Sequence, residues 1–99
     1  MKGYEKDMGF RYKPAVRVGY VRQGYIYFKS LSYPKLTSAE RHRIREHCKA
    51  SGGEYRQALF EFVTTQNTAT EICMRHYIAS KTTLYQMTKE YYESFPEDL

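Results

Sequence analysis

The stretch "AVRVGYVRQGYIYFKSLS", residues 15–32, decides the fold class. Two runs rich in β-branched and aromatic residues flank the tripeptide "RQG". Val16, Val18 and Tyr20 alternate with Arg17, Gly19 and Val21, a period-two pattern. It predicts a β-hairpin over 15–32, with Gly24 supplying the positive φ that a tight turn needs. A lone hairpin is marginal in water, so one of its faces must pack on helices.

Upstream, residues 1–13 carry mixed charge, two glycines and no period, and read as a flexible arm. Pro14 opens the structured part, expected as a single domain over 14–99. Downstream, Thr37 with Glu40 three residues later is a capping-box pattern. The helix it starts is expected to reach about Ala50, where Ser51-Gly52-Gly53 stops it. Its apolar stripe of Ala39, Ile44 and Cys48 is thin, and Arg41, Arg43, Arg45 and Lys49 surround it, so it is a cationic surface helix.

Ser51 and Glu54 repeat the capping pattern ahead of a helix with a wide apolar face. Tyr55, Ala58, Leu59, Phe62 and Val63 recur at i, i+3, i+4, i+7 and i+8, the period of a core helix. Thr68 and Glu71 form a third capping pattern, for a short helix that turns Ile72, Cys73 and either His76 or Tyr77 inward. A turn at 77–79 follows. Ser80 caps the last helix, with Leu84, Met87, Thr88, Tyr91 and Phe95 on one face. The expected fold is therefore α+β, mainly α: an N-terminal hairpin, then about four helices.

Charge separates the two halves. Residues 1–50 hold twelve Lys and Arg against four Asp and Glu, while residues 51–99 hold four against seven. A basic front half suits a polyanion such as nucleic acid, although a solvated basic surface has the same composition. Eleven tyrosines without a tryptophan supply amphipathic contact surface as well as core. Tyr20, Tyr25, Tyr27 and Phe28, with Arg17, Arg22 and Lys29, suggest a stacking and cationic surface on the hairpin, of the kind that holds single strands or a protein partner.

The segment "TATEICMRHYIASKTTLYQM" resembles the helix-turn-helix of bacterial and phage regulators, resolvases and transposases. Thr68, Glu71, Ile72 and Cys73 match the first part of that pattern, with cysteine in the small-residue slot. Ser80, Thr83, Leu84 and Tyr85 match the second. The likeness covers the C-terminal third to half of the chain. It differs in one extra residue between Cys73 and Ser80, and in His76-Tyr77 where a turn glycine is usual.

The resemblance implies that the last three helices form the motif and that the final one enters the major groove of double-stranded DNA. Lys81, Thr82, Tyr85, Gln86 and Lys89 are then the base-contact candidates. Ser80, Arg41, Arg43, Arg45, Lys49, Arg17 and Arg22 are the phosphate-contact candidates. Glu90, Glu93, Glu97 and Asp98 must point away from the duplex. The expectation is a sequence-specific duplex-binding protein, a transcriptional regulator or accessory factor of a phage or mobile element. It is expected to be cytoplasmic, nucleoid-associated when bound, and a homodimer or paired with a protein through the hairpin. The alternatives are a structural or assembly protein, and a packaging or RNA-binding adaptor using the tyrosine-rich hairpin.

Other chemistry is not expected. His42 and His47 do not share a helix face, and Cys48 and Cys73 lack zinc-ligand spacing, so no metal or other cofactor is predicted. Cys48 and His47 are sequence neighbours that point apart on a helix, and Gly52-Gly53 has no lysine to make a phosphate loop. No catalytic residue is assigned. The two cysteines are expected to be buried and reduced, and no apolar run is long enough to span a membrane.

Overall fold

The computed structural model describes residues 10–99. Five α-helices follow one another: α1 Tyr20–Leu31, α2 Ser38–Gly52, α3 Arg56–Thr64, α4 Ala69–Arg75 and α5 Lys81–Glu93. Short 3-10 turns at Tyr33–Lys35 and Gly53–Tyr55 link α1 to α2 and α2 to α3.

The expected hairpin is wrong. No strand occurs among the described residues, and the stretch that reads as a hairpin is α1 preceded by a bent segment. The fold there is all-helical rather than α+β. Gln23, Ile26 and Ser30 are buried at i, i+3 and i+7, with Tyr27 half-buried at i+4, which is a helical face. Two of those positions are polar, so a period counted over apolar residues alone misses it. Burial of this face overrides the strand preference of the valines and tyrosines. Gly24 does not turn the chain; it lies in the helix interior, where an added Cβ would meet the Phe10 ring at 3.8 Å.

Each buried polar group on α1 has partners, which is what makes its burial affordable. The Gln23 amide donates to the carbonyls of Lys13 at 3.0 Å and Val18 at 2.9 Å, and its oxygen accepts the Lys13 N–H at 2.9 Å. Ser30 Oγ donates to the Ile26 carbonyl and lies 2.7 Å from the Tyr91 hydroxyl. Of the arm expected over 1–13, residues 1–9 lie outside the described residues. Phe10 is buried, with its ring beside those of Tyr20, Tyr27 and Phe28.

The capping boxes at Thr37/Glu40 and Thr68/Glu71 both form. The pattern at Ser51/Glu54 does not. Helix α2 runs on through Ser51 to Gly52, α3 starts at Arg56, and Tyr55 provides no side-chain cap. Ser51 Oγ is buried and has no hydrogen-bond partner among the described residues. The two glycines have separate tasks. Gly53 takes the positive φ of 55° that ends α2, and Gly52 lets α3 approach, since a Cβ there would meet Leu59 at 3.2 Å.

The core has two parts. The larger joins α1, α2, α3, α5 and the C-terminal residues through Ile26, Ile44, Leu59 and Tyr91, all fully buried. The smaller fills the wedge between α3, α4 and α5 with Ala58, Ile72, Cys73, Ile78 and Leu84. Met87 packs against both. Helices α3, α4 and α5 each touch the other two.

Candidate nucleic-acid interface

The turn between α4 and α5 determines how α5 leaves the fold. The Ile78 N–H donates to the Cys73 carbonyl at 2.9 Å, a six-residue closure of the Schellman type. Ile78 and Cys73 are buried in the same cluster, the apolar contact that accompanies such a closure. The residue that must go left-handed is Tyr77, with φ of 58°, and it is 91% exposed. A tyrosine thus stands where glycine would be least strained. Three residues on, Ser80 Oγ accepts the Thr82 N–H at 3.1 Å and caps α5.

From that cap α5 divides cleanly. Leu84, Thr88, Tyr91 and Tyr92 are buried, while Lys81, Thr82, Tyr85 and Gln86 are exposed. Lys89 is half-buried and pairs with Glu93 at 3.0 Å. Glu93 also accepts the Arg17 N–H at 2.7 Å, and these donors hold its carboxyl below the usual carboxylate range. Thr82, Tyr85, Gln86 and Lys89 form one wall of a groove of about 490 Å³, and Tyr12 to Val16 form the other. Lys81 stands outside it and reaches Thr70 of α4, its Nζ 3.4 Å from Oγ1.

The phosphate candidates are dispersed. Arg43 is engaged by Asp98 through two bonds of 3.2 and 2.8 Å. Arg41 donates to the Leu36 carbonyl and to Ser38, and Arg45 to the Tyr33 hydroxyl. Arg22 caps the C-terminal turn by donating to the carbonyls of Phe95 and Pro96 at 3.3 and 3.2 Å. Arg17 and Lys49 are exposed. Arg45 and Lys49 line a different groove, about 680 Å³, between α2 and α3, which shares no residue with the groove along α5.

Without the hairpin, the four aromatics read as a stacking surface divide, with Tyr20 and Tyr25 exposed on α1. Tyr27 and Phe28 turn toward Phe10, their rings 5.3 and 6.2 Å from it. Val21 and Tyr25 remain outward on α1, 81% and 44% exposed.

Sequence reasoning passed over Arg11 and Lys13, which lie in the segment read as an arm. The Lys13 ammonium faces the rings of Phe10 and Tyr27 at 5.8 Å and Tyr92 at 4.7 Å. The ammonium donates to the Arg11 carbonyl at 3.4 Å, and burial lowers its pKa. The only hint in the sequence is the alternation of Phe10, Arg11, Tyr12 and Lys13, aromatic with basic.

Elsewhere, Glu61 of α3 gathers the α4 end: it accepts from Arg75, from Asn67 at 2.9 Å, and from His76 at 2.8 Å. Its carboxyl is held below the usual range, first by His76. Both cysteines are free and buried, and burial pushes the Cys48 thiol up to about 12. Among the described residues no three His, Cys, Asp or Glu side chains gather as metal ligands, and no helix is long and apolar enough to cross a membrane.

Compared with family models, with curated proteins and with solved structures, the chain matches none.

Proposed function

We propose that this chain is a sequence-specific double-stranded DNA-binding protein that reads its site with the first turns of α5. The observation that carries the reading is the division of that helix. Its capped N-terminus projects Lys81, Thr82, Tyr85 and Gln86 into solvent, while Leu84 is sealed in the wedge against α3 and α4. A helix held this way can enter a major groove, and its dipole favours phosphate at the Ser80 end. Gln86 suits adenine, Thr82 a thymine methyl, and Lys81 guanine or phosphate. Lys89 would exchange its Glu93 partner for a phosphate or base.

The role of regulator or accessory factor of a phage or mobile element rests on the resemblance of residues 68–87. Such a role places the chain in the cytoplasm, and it assigns no catalysis and no cofactor. One short helix supplies limited specificity, which favours a dimer. The outward face of α1, with Val21 and Tyr25 exposed around Gly24, supports self-association there in place of the hairpin. The same face supports the second reading, a structural or assembly protein.

Selection from a random duplex library, followed by anisotropy titration at several salt concentrations, tests the proposal. A preferred site with steeply salt-dependent affinity is expected. Gln86→Ala and Lys81→Ala should relax the preference. Flat, weak binding to every duplex would leave the assembly reading in possession of the data.

A further inference from the structure

The segment beside α5 carries two cations that no ion pair engages among the described residues. Arg11 is exposed, and among the described residues it joins no ion pair and Lys13 meets only rings and one carbonyl. By contrast Arg43 and Arg22 are already bound within the chain, to Asp98 and to the Phe95 and Pro96 carbonyls. Position matters as much as charge. Tyr12 and Lys13 form the wall of the α5 groove that faces Thr82, Tyr85 and Gln86. Arg11 and Lys13 also border a second cleft, which Tyr85 lines as well. The two cations therefore share a cleft with Tyr85.

The segment is also fixed in place. Gln23 holds Lys13 by its N–H and its carbonyl, the Val16 N–H donates to that carbonyl at 3.1 Å, and Phe10 is buried. A binding element that is already ordered loses little freedom when its ligand arrives. A half-buried ammonium that joins no carboxylate among the described residues gains more from an incoming anion than a fully solvated one does.

We propose that Arg11 and Lys13 are a second contact to the same duplex, clasping backbone phosphates on the strand that borders the α5 groove. This rests on the reading of α5 as a duplex-binding helix and deepens it. The bland competitor is that Lys13 serves only to pack against its rings.

The two are separated by counting phosphates. Each lost phosphate contact makes the slope of log K against log salt shallower by about 0.9. The experiment titrates the full chain and its variants against the selected duplex and a random one, with thermal melts to verify folding. Arg11→Ala and Lys13→Met should each weaken binding to both duplexes alike and each flatten the slope by about one. Lys13→Arg should restore the slope, and Arg56→Ala, which removes a cation from the other groove, should leave it unchanged. Should the Arg11 and Lys13 variants keep the parent slope while folded, or should Arg56→Ala flatten it equally, the clasp is wrong. In either case Gln86→Ala still reports separately on α5: relaxed preference there with an unaltered slope here sinks this inference alone.

Discussion

Gln23 holds Lys13 by both polar groups of its backbone, accepting the N–H at 2.9 Å and donating to the carbonyl at 3.0 Å, across ten residues of chain. The amide is fully buried, so neither lost bond can be replaced by water. Gln23→Leu keeps the volume but orphans the Lys13 N–H, and should cost about 2–3 kcal/mol. Denaturant unfolding measures this. A change below about 0.5 kcal/mol would show that the segment is held by Phe10 alone.

Tyr77 offers the opposite change. Its left-handed φ costs a non-glycine residue about 1 kcal/mol, and a side chain 91% exposed has little packing to lose. Tyr77→Gly should raise stability by up to about 0.5 kcal/mol after the added freedom of the unfolded chain is deducted. The unfolding midpoint is the readout, and a drop would mean the ring makes a contact that matters.

Glu61 predicts a pH dependence. Its folded carboxyl is held below the ordinary value of 4.5, so folding favours the charged form. That contribution is complete above the ordinary value and disappears as pH falls through the folded one. Glu61→Gln should therefore be less stable than the parent at neutral pH, and the gap should close in acid. Urea titrations from neutral pH down to about pH 3 test it, the window being set by carboxylate titration. A gap that stays constant would show that Glu61 acts by shape and not by charge.

The cysteines should be silent in the native state. Burial with a thiol pushed up to about 12 leaves Cys48 almost wholly protonated at mild pH. Cys73 is buried in the wedge. Alkylation should be slow in buffer and fast in denaturant, and a rapidly labelled native thiol would contradict the packing described for it.

Legibility in the sequence followed the kind of residue at each turn of helix. Helix α3 and the inner face of α5 announce themselves because their buried positions are mostly apolar. The caps at Thr37, Thr68 and Ser80 depend on local spacing, and all three form. Helix α1 was hidden because its buried face is built with Gln23 and Ser30, whose partners Lys13 and Tyr91 lie 10 and 61 residues away. The apparent cap at Ser51 misleads for a related reason: packing of Gly52 on Leu59 carries α2 past it. The exposed residues of α5 followed from its period, whereas the place of Arg11 and Lys13 beside them depends on a long-range tie that no local pattern encodes.

Ser30 and Tyr91 join the first and last helices by hydroxyls 2.7 Å apart in the core. Helical residues step by about 100°, so a one-residue slip of α5 would swing the phenol out of reach and leave Ser30 with only its own helix to bond. The same slip would re-aim Gln86, five positions earlier on the same rod. One deep polar pair thereby acts as a locating pin, indexing the rotation of a surface it never touches.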